Sequence, residues 1–469
     1  MKRTAVHPQR KFPMNRRTFL KIMAAALSIQ ALPGCVSGDA PPANGQRILI
    51  LGAGIAGLAA AATLRQQGYE TLLIEARDRI GGRIWTSNQW ADAPLDLGAS
   101  WIHGLRGNPI AAIAQEVQAR LVTTEYESAI TYQTNGRSLT PAQAEQLEEL
   151  AAQLWQAIAA AQERDPDRSV QEVVDATLAA SPPDPERRQW ANFLLNSHIE
   201  HEYAGSSAAQ SVHWFDDGDE FGGDDALFPD GYQVITQHLA QGVPLVLQQP
   251  ARRVQWDDAQ VTVHTESATY TGDRLIVTLP LGVLQAGRLT FTPALPTAKQ
   301  QAIAALGMGV LNKCYLRFAE LFWPAEFDWL QYIPAQHGQW AEWVSLARPT
   351  GSPILLGFNA ADFGREIEAW SDAAIVGSAM QTLRHLFGRH IPEPLDVQIT
   401  RWAADPHAYG SYSFNALGST PSMRDDLARS VGRRLFFAGE ATERRYFGTV
   451  HGAYLSGLRA AQEVMAANE

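Results

Sequence analysis

Cysteine is almost missing from this sequence of 469 residues; Cys35 and Cys314 are the two it has, so a disulfide scaffold is excluded. Long uncharged apolar runs are also scarce. The one candidate covers residues 22–32, eleven residues, against the roughly 20 that a membrane-crossing helix takes, and no integral span is expected. Internal repeats and low-complexity tracts are lacking, and with 46% hydrophobic residues and 26 prolines the chain has the composition of a globular protein of two or three domain equivalents. Acidic residues are absent from the first 35 positions, which hold seven basic ones (Lys2, Arg3, Arg10, Lys11, Arg16, Arg17, Lys21). Taking those seven from the net charge of −11 leaves −18 on the remainder. Such a body repels nucleic acid and attracts cationic partners or substrates.

A basic segment, the apolar run and then Pro33-Gly-Cys35 follow the plan of a bacterial export signal, so residues 1–35 are set apart from the fold. Within them Asn15-Arg-Arg-Thr-Phe-Leu-Lys21 resembles the twin-arginine motif, read by machinery that carries folded proteins. That route suits a protein that takes up its cofactor before export, and the expected destination is the periplasm or outer cell surface. Cys35 stands where a lipoprotein signal places its lipidated cysteine, although Pro33 is unusual there, so a lipid anchor and simple cleavage both stay open.

Residues 36–46 read as a leader. Arg47-Ile-Leu-Ile-Leu51 then predicts a buried strand, Gly52-Ala-Gly54-Ile-Ala-Gly57 opens an alanine-rich helix that Gly68 closes, and Thr71-Leu-Leu-Ile-Glu75 predicts a second strand. This is a βαβ opening. Residues 141–201 alternate at helical spacing with breaks near Asp165-Pro166 and Ser181-Pro-Pro-Asp184, predicting a helical insertion. Short β-like runs fill 244–295, with others at 311–318 and 354–358, a helix at about 372–386, a strand at 434–438 and a final helix from about Gly452.

In the glycine-rich turn, Gly52 makes the tight bend, Gly54 lets a pyrophosphate approach the backbone, and Gly57 lets the helix pack closely on the strand. The pyrophosphate then meets the helix N-terminus. Glu75, eighteen residues after Gly57, is placed to accept hydrogen bonds from ribose hydroxyls. The pattern alone leaves NAD and FAD both open.

The run Glu75-Ala-Arg-Asp-Arg-Ile-Gly-Gly-Arg83 resembles the stretch after the ribose-binding acid in the flavin-containing amine oxidase family. The resemblance extends from Arg47 to Ala461. It takes in Asp96-Leu-Gly-Ala-Ser-Trp-Ile-His-Gly104, Asp230-Gly-Tyr232, Leu279-Pro-Leu-Gly-Val-Leu284 and Leu311-Asn-Lys313. It continues through Trp402-Ala-Ala-Asp-Pro406, Gly410-Ser-Tyr412, Phe437-Ala-Gly-Glu-Ala-Thr442 and Gly448-Thr-Val-His-Gly-Ala-Tyr454. It implies bound FAD, with Arg77, Gly82 and Arg83 near the pyrophosphate and ribityl chain and Val254 giving main-chain contacts to adenine. Gly439 and Glu440 would hold ribityl or phosphate groups, and Thr449 and Val450 would lie at the flavin pyrimidine edge. Ser411 stands where monoamine oxidases carry the cysteine that attaches their flavin, so noncovalent FAD is expected.

Amine oxidation asks for little acid–base machinery, because a neutral amine can give a hydride from its α-carbon to the flavin. By resemblance, Lys313 holds a water near the flavin and serves reoxidation by oxygen. A lysine in the apolar run Val310-Leu-Asn-Lys-Cys-Tyr-Leu316 is otherwise either buried for a purpose or on a solvated face. Tyr412 corresponds to an aromatic wall beside the substrate, Trp402 to a tryptophan near the flavin ring, and both also suit core packing. Thr449 replaces the tyrosine with which monoamine oxidases complete a cage; lysine-specific histone demethylases and some animal polyamine oxidases are similar to this chain there. His103 resembles the histidine of animal polyamine oxidases and could bond an internal amine, and Glu202 lies where a family acid guides polyamines. His198 and His201 could also be read as metal ligands, but no metal is expected.

The fold implied is α/β, a Rossmann-like FAD-binding domain of the glutathione-reductase type (47–125, 230–300 and 400–469). An interleaved α+β substrate-binding domain (126–229 and 301–399) carries the helical insertion. The expected activity is FAD-dependent oxidation of an amine, most simply a polyamine, with O2 as acceptor. An L-amino-acid oxidase would need an arginine for the substrate carboxylate where this chain has Trp101, which is counted instead with the substrate-binding residues. A histone demethylase suits Thr449 but not export, and the long helical tower is lacking. Monoamine oxidation is an alternative, as is a non-catalytic exported flavoprotein, against which Lys313 and Tyr412 argue, and the sequence sets no oligomeric state.

Overall fold

Arg47–Leu51 and Glu70–Ile74 form parallel strands around the helix Ile55–Gln66, because each strand is an apolar run buried on both faces and the turn between them is glycine-rich. The computed structural model describes residues 45–467. The expected export signal at 1–35, its Arg16–Arg17 pair and Cys35 lie outside the described residues, as does most of the 36–46 leader. Among the described residues no helix is long and apolar enough to cross a membrane.

Five parallel strands make the first sheet, in the order Leu435–Phe437, Arg274–Val277, Arg47–Leu51, Glu70–Ile74, Leu245–Val246. On one face Ile48, Ile50 and Ile276 pack against Leu58 and Ala61 of the first helix and Ala460 and Val464 of the last, Val450–Ala466. A Cβ on Gly457 would lie 2.2 Å from the Ala56 carbonyl oxygen, so the two helices touch through their backbones. On the other face Leu49, Leu51 and Leu275 pack against Val254, Val261 and Val263 of a four-stranded sheet. This is the Rossmann-like α/β arrangement.

A six-stranded sheet, in the order Asp396–Ile399, Leu311–Arg317, Ile354–Ala360, Glu342–Ser345, Trp329–Tyr332, Ala129–Tyr132, forms the α+β part. One face, with Cys314, Leu316, Trp343 and Leu355, packs on the helix Asp372–Phe387. The other face, with Tyr315, Val344 and Phe358, meets the loop carrying Leu95, Leu97 and Trp101. The insertion is three helices, Pro141–Gln162, Val170–Ala179 and Pro185–Leu195. Capping boxes at Thr140/Gln143 and Ser169/Glu172, with Asp184 and Pro185 opening the third helix, explain the observed breaks. A π-helical turn, Asn196–Glu200, follows, which the periodicity of the sequence did not predict.

Candidate active site

The nucleotide end is built from glycine geometry. Gly52 has φ 102°, and a Cβ on Gly57 would sit 2.0 Å from the Gly52 carbonyl oxygen, so neither position takes a side chain without disruption. Around Gly54, by contrast, a Cβ would meet nothing within 4 Å. No side chain caps the helix that begins at Ile55 and no acid lies in its first turn, leaving its free N–H groups for an anion. The 80s loop lies against this turn: Gly81 N donates to Ala53 O, and Gly82, at φ 60°, would bring a Cβ within 3.3 Å of Gly54 Cα. Glu75 is buried, accepting from Ala53 N (2.7 Å) and Arg77 N (2.8 Å), which fixes its carboxylate at the end of the second strand. These features fit a dinucleotide pyrophosphate and ribose.

Three arginines of this loop have different partners. Both Arg77 Nη atoms pair with Asp405, at 2.9 and 2.8 Å, so its fork holds the loop at 405 to the nucleotide end. Arg79, to which the sequence motif gave no role, stacks 4.5 Å over Trp85, and its Nη2 is buried without a hydrogen-bond partner among the described residues. Burial lowers its pKa to about 10. Arg83 Nη1 donates to Ser411 O and to Glu440 Oε1, each at 2.9 Å. Glu440 is buried after Gly439 (φ 119°) and also accepts from Ser413 Oγ (2.6 Å) and Gly448 N (3.0 Å). Burial would raise its pKa, but the charges of Arg83 and Arg424 and the Ser413 bond hold it below the ordinary value. Glu440 is thus a hub joining three chain segments. A cavity beside it is lined by Arg83, Leu279, Leu281, Phe437 and Gly439, at strand C-termini.

Val254 is wholly buried in the strand Ala251–Trp256 and pairs with Val263 on one side and Phe291 on the other. Val450 begins the last helix and packs with Ile55 and Ile102. Thr449 is its N-cap: Oγ1 accepts from Gly452 N (2.9 Å) and donates to Tyr446 O (2.7 Å). The hydroxyl proton is therefore engaged within the backbone, and the side chain serves as the cap of that helix.

Lys313 is buried, which decides between the two readings of its apolar run. Its Nζ donates to Asp96 O (2.9 Å), Gly98 O (2.6 Å) and Ser100 Oγ (2.5 Å). Those partners take all three N–H bonds of an ammonium, so a water held there would have to displace one of them. Burial lowers the Lys313 pKa to about 7 and raises that of Asp96 to about 6. Trp101, whose ring lies 5.8 Å from Nζ, stacks on Trp329 at 6.0 Å and donates Nε1–H to Thr124. Trp402 donates Nε1–H to Leu97 O (3.1 Å) and meets Trp85 edge-on. Tyr412 Oη donates to His201 O (2.6 Å), while its ring lies against Gly448. Ser411 Oγ donates to Leu311 O and accepts from Leu311 N, bracing the strand of Lys313.

At the outer end His103 Nδ1 lies 2.8 Å from Asp225 Oδ2, with both side chains partly exposed. Burial pulls the His103 pKa down, but the bond and charge of Asp225, with the charges of Glu202 and Glu220, lift it above the ordinary value. Glu202 is exposed on the short helix His201–Tyr203, and its charge joins burial in raising the pKa of Glu220. The fold therefore gathers His103, Glu202, Glu220 and Asp225 into one electrostatic group. Asp225 and Glu220 went unassigned in the sequence, although the acid-rich stretch 216–225 was a signal. His198 instead stacks edge-on with Tyr126 and Trp155, and His201 pairs with Glu342.

The profile of a family described as flavin containing amine oxidoreductase matches residues 55–465. Lysine-specific histone demethylase 1 homolog 1 of Oryza sativa subsp. japonica is 36% identical over 468 residues, covering 94% of this chain and 54% of that protein. Protein FLOWERING LOCUS D of Arabidopsis thaliana is 32% identical, over 88% of this chain and 54% of its own length. The chain thus spans about half the length of these curated relatives. Polyamine oxidase 4 of Oryza sativa subsp. japonica is 31% identical over 89% of this chain and 88% of its own. Among solved structures, wild-type putrescine oxidase bound to putrescine shares the fold, with a TM-score of 0.74 at 19% identity over 90% of this chain and 99% of that one.

Proposed function

Since the chain belongs to the flavin-containing amine oxidoreductase family, with FAD as its cofactor, we propose that it is a polyamine oxidase that uses oxygen and releases hydrogen peroxide. When bound, the flavin supplies the acceptor for a hydride from the carbon beside the substrate nitrogen. The residues 52–57, 75, 82–83 and 439–440 would hold it noncovalently. Tyr412 supplies an aromatic face for the amine, and Trp101 and Trp402 exclude water around the buried Lys313.

The observation that carries the polyamine reading is the gathering of Glu202, Glu220 and Asp225 about His103, outside the aromatic interior. A single amine needs one cation site. Several carboxylates next to a histidine suit a chain of spaced ammonium groups, with His103 bonding an internal nitrogen. The similarity to a polyamine oxidase over most of both chains agrees with this reading. The same acidic mouth suits a basic peptide, and the similarity to lysine-specific histone demethylases favours that second reading.

Peroxide release measured across mono-, di-, tri- and tetra-amines and a methylated-lysine peptide separates them. Polyamines should exceed benzylamine in kcat/KM by at least about tenfold at low salt. Preference for benzylamine, or turnover of the methyl-lysine peptide alone, would overturn the polyamine reading; no peroxide from any amine would leave a binding flavoprotein. Export by the twin-arginine route to the periplasm or outer surface is part of the same proposal, supported by Arg16-Arg17 and the apolar run after them.

A further inference from the structure

The π-helical turn Asn196–Glu200 hands the chain to the short helix His201–Tyr203, which ends at Ala204 with φ 58°. The His201 side chain is 8% exposed and the Glu342 side chain 3%. Nδ1 of His201 lies 2.6 Å from Glu342 Oε2, while Glu342 Oε1 accepts from Tyr126 Oη and from Gln331 Nε2 at 3.2 Å. Burial works to raise the Glu342 pKa, but the bond to His201, its charge and the Tyr126 bond outweigh it and keep the carboxyl ionised. An ionised carboxylate only accepts hydrogen bonds, so Nδ1 carries the proton. Nε2 is then the ring nitrogen that Glu342 leaves free. Among the described residues it has no hydrogen-bond partner, although it is shielded from solvent. A buried ring nitrogen without a hydrogen-bond partner is a costly arrangement that asks for a reason.

The location supplies one. The main-chain oxygen of His201 receives the Tyr412 hydroxyl, and its ring centroid lies 6.0 Å from Phe358. Phe358 stands directly across the ladder from Lys313 and 6.2 Å from Trp101. The ring therefore adjoins the same aromatic interior as the groups to which the substrate is assigned.

We propose that the His201–Glu342 pair is the proton acceptor for the substrate amine. An N–H bond of the incoming alkylammonium breaks and the proton forms a new Nε2–H bond. The electron pair stays on nitrogen, giving the neutral amine, and the imidazolium is held by the Glu342 carboxylate. Desolvation assists, as it does for Lys313, whose own ammonium loses protons near pH 7 in this interior. The other titratable groups facing the pair are Tyr126, His198 and Tyr412; burial lowers the His198 pKa, so that ring is neutral. The proposal rests on the amine oxidase reading above.

The test uses the full FAD-loaded protein, with anaerobic flavin reduction followed against pH and spermidine binding read from the absorbance of the oxidised flavin. In the wild type, reduction should rise with pH to a plateau through an enzyme ionisation, because only neutral His201 accepts. His201→Gln keeps a donor for Glu342 and an acceptor for substrate but cannot ionise; it should bind spermidine within about threefold of wild type and lose that ionisation. His201→Phe should bind about tenfold more weakly or worse, and Glu342→Gln should displace the ionisation. The Tyr412 bond goes to the main chain and survives all three changes. An unchanged pH profile in His201→Gln, with the wild type active, overturns this proposal alone. Failure of every amine to reduce the wild-type flavin overturns the amine oxidase reading and this proposal with it.

Discussion

Lys313 lies directly opposite Phe358 in the antiparallel pairing of Leu311–Arg317 with Ile354–Ala360. The next strand continues the row: Trp343 faces Gly357, which puts Glu342 beside Phe358, and Glu342 in turn faces Gln331, which faces Thr131. Directly opposed residues share one face of a sheet. The six-stranded sheet therefore presents Lys313, Phe358, Glu342 and Gln331 on one face, while Cys314, Trp343 and Leu355 pack on the helix behind it.

Lys313→Met should slow reoxidation of the reduced flavin by oxygen more than it slows anaerobic reduction. A lysine with its pKa lowered to about 7 carries its charge below that pH and loses it above. Wild-type reoxidation should therefore decline as pH rises through about 7, and the variant should lack that decline. Stopped-flow mixing with oxygen at several pH values measures both; equal reoxidation in the two proteins would remove the role.

Lys299 is the other lysine among the described residues, and it too is buried. It donates to Asp426 O and Leu427 O at the end of the helix Ser422–Ala428, with Nζ 3.8 Å above the Phe437 ring. Burial, then the charges of Arg459 and Arg429, lowers its pKa to about 7. Unfolded, it would titrate near 10.4. Between those values the unfolded chain binds the extra proton, so this group makes stability rise with pH, by at most about 1.4 kcal/mol per unit. Urea unfolding at pH 7.5, 8.5 and 9.5 should show a shallower rise for Lys299→Met than for wild type; parallel slopes would contradict the assignment.

Acid precipitation should leave the yellow cofactor in the supernatant. Ser411 replaces the attaching cysteine of the monoamine oxidases and is bonded to Leu311. Cys314 is buried on the far face of the sheet, its thiol pKa pushed up to about 12 by burial. Flavin retained in the pellet would show a covalent bond.

Changing both Arg16 and Arg17 to Lys should leave active, flavin-loaded precursor in the cytoplasm, since only a folded chain can carry FAD across. Fractionation with an activity assay reads the outcome, and normal export of the double variant would indicate the unfolded-chain route.

The βαβ opening was legible because its signals are local. An apolar strand, three glycines at fixed spacing, a helix and Glu75 lie within about thirty residues, and each glycine answers a steric demand of its near neighbours. The helix breaks at 165–167 and 181–184 were legible for the same reason, through proline and capping chemistry. The motifs of the family resemblance singled out Lys313, Tyr412 and His103 without showing what they touch.

What Lys313 touches was decided by tertiary structure alone, because Asp96, Gly98 and Ser100 lie more than two hundred residues away in the chain and reach it only when the sheet packs on their loop. His201 and Glu342 are 141 positions apart, joined by the register of three strands and by a π-helical turn that no apolar periodicity announces. In the sequence Glu342 is one acid in an apolar strand and Thr449 a small residue before a helix. Strand register made the first a buried ionised partner, and the geometry of the helix N-terminus made the second a cap. Local sterics write turns and helices into the sequence, whereas the partners of a buried charge depend on which distant strands lie side by side.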